Sequence, residues 1–453
     1  MSNSSIFAIT PIDGRYKDIT CQLSNHFSEF ALIKNRVEVE CKYFIALSQN
    51  QVFNINISQT QVIKIQNIYQ NFLEIDALNI KEIEKTTNHD VKAVEYFLRS
   101  KFVKIGLNQY LEFIHFALTS EDINNISFTL MTKNSIKKVI LPNLDSILKT
   151  LIDLSKSSSN ESFLSLTHGQ TATPTTFGKE IAVFVYRLQR QIKHLESQNF
   201  QAKFGGATGT WSAHNLAYPN FDWLAFAKKF VKSFGLEFCP LTTQIVPAES
   251  LIESYDTINR INNILLDLCR DIWLYVMRGV LGQIQKEGEI GSSAMPHKIN
   301  PINFENAEGN LQLANSIFNE LSRQLSVSRM QRDLSGSTVI RSQSIPFANS
   351  LIAYKSILKG LSKIKVNGDA MSKELNDHWE VLAEGVQTIL RSINYPDPYN
   401  VLKNLTKGNK ITKESIQLFV NNLEIEPKLK QRLLDLTPHN YIGLSQKLVE
   451  FIK

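Results

Sequence analysis

The sequence predicts an all-α protein of three helical domains, and three observations carry that prediction. Glycine and proline are scarce, 19 and 13 among 453 residues, against usual shares of about 7% and 5%. Apolar residues recur at helical spacing over long stretches, and alternation of the kind a half-buried strand needs is rare. Weak punctuation places the domains at 1–110, 111–362 and 363–453. The first block is helical and mixed-polar. In the second, Leu144, Ile147, Leu148, Leu151 and Ile152 form one stripe, and Ile181, Phe184, Val185, Leu188, Ile192 and Leu195 a second. Ile261, Ile264, Leu265, Leu268, Ile272 and Val276 lie on a third, apolar over more than half its circumference. A helix that broad needs neighbours on several sides, which an oligomer supplies from other chains. The third block follows KIKVNGDA and holds shorter helices broken by NYPDPYN.

Composition narrows the function classes. Hydrophobic residues make up 43% of the chain and charged residues 20%, as expected of a soluble globular protein. The net charge of +6 is small for this length and unclustered. It suits a small anionic substrate better than nucleic acid. Cys21, Cys41, Cys239 and Cys269 make no CxxC pair, which argues against a zinc site or a disulfide framework and fits a reduced cytoplasm. The opening residues MSNSSIFAITPIDGRY lack the basic and apolar regions of a signal peptide. The most apolar stretch, 264–284, carries Asp267, Arg270, Asp271 and Arg278 and reads as a buried bundle helix, not a membrane span.

Four polar islands interrupt the helices: TTNHD (86–90), LTSEDIN (118–124), LTHGQTATP (166–174) and GEIGSSAMPHKINP (288–301). In the last, Gly288 and Gly291 permit opening and closing. Asn300 is placed as a helix cap with Pro301 first in the helix, so free N–H groups and a positive dipole end face the loop. Lys298 adds a full charge. Such a place stabilises a developing anion and lowers the cost of deprotonating Ser292 or Ser293. His168, before Gly169, belongs on a turn and has the chemistry of a general acid or base. No GxSxG, GxGxxG, GxxxxGK[ST] or HExxH occurs, so neither a hydrolase elbow, a nucleotide loop nor a metal is expected, and no cofactor.

Together these islands resemble a known family. GSSAMPHKINP is similar to the mobile loop of the fumarase/aspartase superfamily. PIDGRY, TTNHDVKAVEYFL, FIHFALTSEDINN, LTHGQTATPTTFGKE, TTQIVP and SRMQRDLSGSTVIR resemble the adenylosuccinate lyase family in its bacterial long form. The likeness runs from residue 7 to NYIGLSQKLVEF near the end. It implies long central helices packed with those of three other subunits in a homotetramer, and a loop that is a lid carrying the base. The implied reaction is β-elimination of fumarate from adenylosuccinate, giving AMP, and from the succinylocarboxamide ribotide SAICAR, giving AICAR. By the same resemblance Ser292 is the base, with Ser293 the alternative, and His168 is the acid. Glu305 orients the histidine, and Lys298 and Asn300 bind the carboxylate on which charge accumulates.

The resemblance also assigns Arg15, Tyr16, Arg332, Ser337, Thr338 and Arg341 to phosphate and nucleotide. Asn88, His89, Asp90, Thr119, Ser120, Thr167, Gln170 and Gln244 match further substrate positions. His297 fits this family, where fumarase-like relatives have Gly and argininosuccinate lyases Gln. Thr210, Trp211 and Ser212 depart from the usual Asn-Tyr-Asn, and Ile299 from Val or Arg. Two other readings compete: another fumarate-releasing lyase, such as an argininosuccinate lyase, and a silent helical scaffold. The Arg332, Ser337 and Arg341 set argues against the first. The presence of His168, Ser292, Lys298 and Glu305 together argues against the second.

Overall fold

The structure is a computed structural model that describes residues 5–284, 295, 298–406 and 411–452. The longer helices are α1 (Glu29–Ser48), α2 (Gln59–Gln70), α3 (Glu74–Thr87), α4 (Asp90–Lys104), α5 (Ser120–Ser135), α6 (Leu141–Ser157), α7 (Phe177–Glu196), α8 (Glu249–Met277), α9 (Ile302–Leu325) and α10 (Ser344–Leu361). Their starts follow side-chain capping. Ser28 accepts from the Ala31 N–H ahead of α1. Ser58 and Gln61 form a reciprocal capping box at α2. His89 caps α4 through its ring nitrogen, which accepts from the Lys92 N–H at 3.2 Å.

Strand among the described residues is confined to two- and three-residue pairs. Ser162–Phe163 pairs with Thr175–Thr176, and Leu166–Thr167 with Gln170–Thr171. Gln201–Ala202 runs parallel to Glu237–Phe238. The helix expected to reach residue 284 instead ends at Met277. Gly279 takes a φ of 76°, which terminates it. Leu281–Gln283 then leaves as a strand antiparallel to Ile364–Val366. Helix α9 starts at Ile302, one residue later than expected, and the Pro301 carbonyl accepts from the Phe304 N–H.

Contacts divide the chain into two compact units. The first comprises 1–144, 191–263 and 310–355; the second comprises 145–190, 264–309 and 356–453. Helices α6 to α10 each cross one of these boundaries and contribute a segment to both.

The core of the first unit is aromatic and partly polar. Tyr255 packs against Phe318 and Phe347 at ring distances of 5.6 and 6.1 Å. Its hydroxyl donates to the Gln343 side-chain oxygen, which also accepts from Thr132 at 2.6 Å. Asn262 donates to Ser350 and accepts from Tyr354, so the polar groups between α8 and α10 are satisfied. Each fully buried large apolar side chain here contributes about 1.5–3 kcal/mol. In the second unit Leu164, Leu375, Leu382, Leu390, Val420 and Leu433 form an aliphatic core. There Gly360 lets α10 approach α9, since a Cβ at that position would meet the Phe304 ring at 2.7 Å.

Candidate active site

In the first unit, two guanidinium groups meet one carboxylate. Asp90, first residue of α4, accepts from Arg36 at 2.7 Å and from Arg341 at 2.9 Å, while its second oxygen accepts from the Val91 N–H. Burial pushes the Asp90 carboxyl up, but Arg36, the Val91 N–H and Arg341 together hold it below the usual carboxylate range. Arg36 is almost wholly buried on α1 and also donates to Asn124 at 2.9 Å. Asn88, next to His89, closes α3 in the left-handed region at φ 49°, a conformation asparagine tolerates.

A second cluster lies on Arg332. It donates to the Gln244 side-chain oxygen at 2.7 Å and to the Ser337 hydroxyl at 3.1 Å. Gln244 in turn donates to the Ala207 carbonyl at 2.9 Å. Arg332 also faces Glu121 at 3.9 Å. Burial pushes the Glu121 carboxyl up to about 7, a rise that Arg332, Lys203 and Arg36 limit and Asp122 adds to. Glu121 and Ser337 line one cavity with Asn125, Thr129 and Asp333. Thr338 sits in the same short helix as Ser337 and donates back to the Leu334 carbonyl.

Between these clusters stands the start of α5. Thr119 is its cap residue and Ser120 its first. The Thr119 N–H donates to Asp122 at 2.9 Å, closing a capping box. On the neighbouring 203–212 segment, the departures from the family pattern form their own hydroxyl chain: Thr208 to Thr210 at 3.0 Å and Thr210 to Ser212 at 2.7 Å. Trp211 between them takes φ 52°. Arg15 lies over the Tyr16 ring at 5.9 Å and makes no ion pair among the described residues.

In the second unit, His168 and Gly169 form the two-residue turn of the Thr167–Gln170 hairpin, with φ 54° and 72°. Positive φ at both positions matches the right-handed twist of the strands and projects the ring from an exposed tip. His168 has no side-chain hydrogen bond among the described residues. Gln170 donates to the Gly169 carbonyl at 3.3 Å. Glu305, in the first turn of α9, accepts from the Trp273 indole N–H at 3.1 Å, not from His168. Lys298 and Asn300 precede that turn, and the Lys298 N–H donates to the Met295 carbonyl. Ser292, Ser293 and His297 lie outside the described residues. Among the described residues no group of three or more His, Cys, Asp or Glu side chains is placed to hold a metal ion.

Comparison with known proteins decides the family. A lyase family model matches residues 14–314, and the model for the C-terminal region of adenylosuccinate lyase matches 328–442. The chain is 47% identical over 453 residues to adenylosuccinate lyase of Dictyostelium discoideum, covering 97% of each chain. It is 44% identical over 456 residues to that of Escherichia coli strain K12, covering 100% of each. The chain belongs to the adenylosuccinate lyase family. Solved structures share the family's fold at much lower identity. Fumarate lyase from Mesorhizobium sp. BNC1 superposes with a TM-score of 0.76 at 17% identity, over 95% of this chain and 97% of that one. The 3-carboxy-cis,cis-muconate lactonizing enzyme from Pseudomonas putida gives 0.74 at 17%, over 95% of each chain.

For an adenylosuccinate lyase family chain, the described residues that the sequence singled out here fall into two groups, and others were missed. Asp90 with Arg341, and Gln244 with Arg332 and Ser337, are brought into direct contact. His168 and Glu305 are positioned but not joined. Arg36, Glu121 and Lys203 were missed as members of the site. Arg36 lies among Lys34, Asn35, Glu38 and Glu40 and Lys203 between Ala202 and Phe204, and in neither place does a local pattern separate a buried cation from a surface one. Glu121 had a weak signal, sitting inside the polar island 118–124.

Proposed function

We propose that this chain is an adenylosuccinate lyase of purine biosynthesis, a carbon–nitrogen lyase that releases fumarate from adenylosuccinate and from SAICAR. The observation that carries the reading is the match of 44–47% identity along essentially the whole chain to proteins of that name. The chemistry follows from the substrate. Ser292, as alkoxide, takes the proton from the carbon next to a carboxylate. The electron pair is held as an aci-anion, for which Lys298 and Asn300 are the donors. The pair then forms the double bond of fumarate as the C–N bond breaks, and His168 gives its proton to the departing nitrogen. Arg332 and Arg341, with Ser337, Thr338, Arg15 and Tyr16, take the phosphate and ribotide, because a dianion favours guanidinium donors. Asn88, His89, Asp90, Thr119, Ser120, Thr167, Gln170 and Gln244 complete the substrate contacts.

The same reading makes the protein a cytoplasmic homotetramer. Two observations support it. Among the described residues none hydrogen-bonds to the His168 side chain, although Glu305 is the carboxylate assigned to it. The long helices also leave large apolar side chains in the open: Tyr186 on α7, Met277 on α8 and Leu313 on α9 are 62%, 65% and 58% exposed. In the tetramer reading other subunits cover these faces. The three-part division 1–110, 111–362 and 363–453 goes with it, the middle part supplying the shared bundle. Among the described residues no helix is long and apolar enough to cross a membrane. The deciding experiment incubates the purified protein with each ribotide and follows fumarate at 240 nm. Fumarate from both is expected; none from either would end the reading.

A further inference from the structure

Lys203 is a lysine with no exposed surface at all, paired with an Asp122 that is equally enclosed. Its ammonium donates to Asp122 at 2.9 Å and to the Gly206 carbonyl at 3.0 Å. Asp122 has further partners. One oxygen accepts from the Gly205 N–H at 2.9 Å and the other from the Thr119 N–H at 2.9 Å, and the Gly206 N–H is shared between them at 3.3 and 3.1 Å. A single ion pair therefore fastens the cap of α5 to the 203–206 turn. The next links are equally direct. Ala207, beside Gly206, receives the Gln244 amide, and Gln244 holds Arg332. The turn is also pressed on the segment before Gln244, since a Cβ on Gly209 would meet the Thr242 carbonyl at 2.3 Å. A buried ion pair is seldom the most stable filling for such a space, because desolvation offsets the attraction. Its four-way hydrogen bonding instead fixes one geometry.

We infer that Lys203 is a positioning residue for substrate: through Asp122 and the 205–207 turn it sets Thr119 on one side and the Gln244–Arg332 pair on the other. This rests on the lyase reading for what Arg332 binds, but the placement itself is testable without substrate. In Lys203→Met, backbone amides of 205–210 and 242–246 should exchange with deuterium at least tenfold faster than in the parent protein. The Michaelis constant for adenylosuccinate should rise at least tenfold, with turnover changed less than threefold, because the breaking bond is remote from this turn. Exchange and Michaelis constant both within twofold of the parent would overturn the inference.

Removing Lys203 alone strands a buried carboxylate, so the double variant Asp122→Asn with Lys203→Met is the control for folding. It leaves no buried charge at these two positions and should regain the parent melting temperature within a few degrees. Its amide has one acceptor oxygen where the carboxylate had two, so it cannot hold both Thr119 and Gly205. Restored stability with fast exchange and a high Michaelis constant supports positioning. Restoration of all three shows a merely structural pair and overturns it. A parent protein that yields no fumarate would refute the lyase reading and leave the exchange result to decide Lys203.

Discussion

Glu121 is a carboxyl whose proton the fold retains toward neutrality. It is 14% exposed and its nearest cation, Arg332, stands off at 3.9 Å, so burial outweighs attraction. Its folded value of about 7 lies above the ordinary 4.5. The folded state thus binds the extra proton, and the stabilisation is complete below about pH 4.5 and lost as pH rises through 7. That difference corresponds to about 3 kcal/mol. Glu121→Gln should therefore melt higher than the parent at pH 8, with the gap closing toward pH 5; a gap independent of pH would show an ordinary surface carboxylate. If Ser292 is the base proposed above, Ser292→Ala should abolish turnover yet leave ligand affinity largely intact by calorimetric titration, because a base moves a proton and does not anchor the ligand. Near-parent turnover, with Ser293→Ala inactive instead, would shift the base by one residue. Of these single residues the sequence singled out Asp90 in a polar island and Ser337 through the family resemblance alone. It hid Arg36 and Lys203, since their partners Asp90 and Asp122 are 54 and 81 positions away and pairing is made only by the fold.

Helices carry the residues that the single positions need, and their packing sets the aim. Helix α9 is pinned where Phe304 fills the space left by Gly360 of α10, and Glu305 is the next residue. A methyl group at 360 would force the ring aside and tilt the turn that holds Glu305 against Trp273. Gly360→Ala should cost about 1–3 kcal/mol of stability by overpacking. It should also reduce turnover, and urea unfolding with a fumarate assay reads both. An unchanged midpoint would mean that the ring yields freely. Helix existence was legible because the 3.6-residue period persists over many turns, as in the stripe from Ile181 to Leu195. The end of α8 was not legible: Val280 and Leu281 continue the apolar run, and only the φ of Gly279 and pairing with 364–366 turn it into strand. The two-residue strands around His168 were equally hidden, because pairs so short have no period of their own. Their turn was readable from His-Gly alone.

The exposed apolar faces of α7, α8 and α9 pose the question for the whole molecule, and the separation of His168 from Glu305 sharpens it. A hairpin tip whose histidine is bonded by none of the described residues is of little use to its own chain. It suits a site assembled from several copies. If His168 and Ser292 of one site come from different chains, two inactive variants must repair each other. A working site then takes its histidine from a Ser292→Ala chain and its serine from a His168→Ala chain. With equal random mixing each condition is met about half the time, so about a quarter of sites should revive. The two variants are unfolded together, refolded as a mixture and assayed for fumarate, with each refolded alone as the blank. Met277→Glu provides the companion test, because a charge on that exposed face should block assembly and remove the recovery with it. Hybrid tetramers proven by differently tagged chains, yet still inactive, would place both residues of every site on one chain.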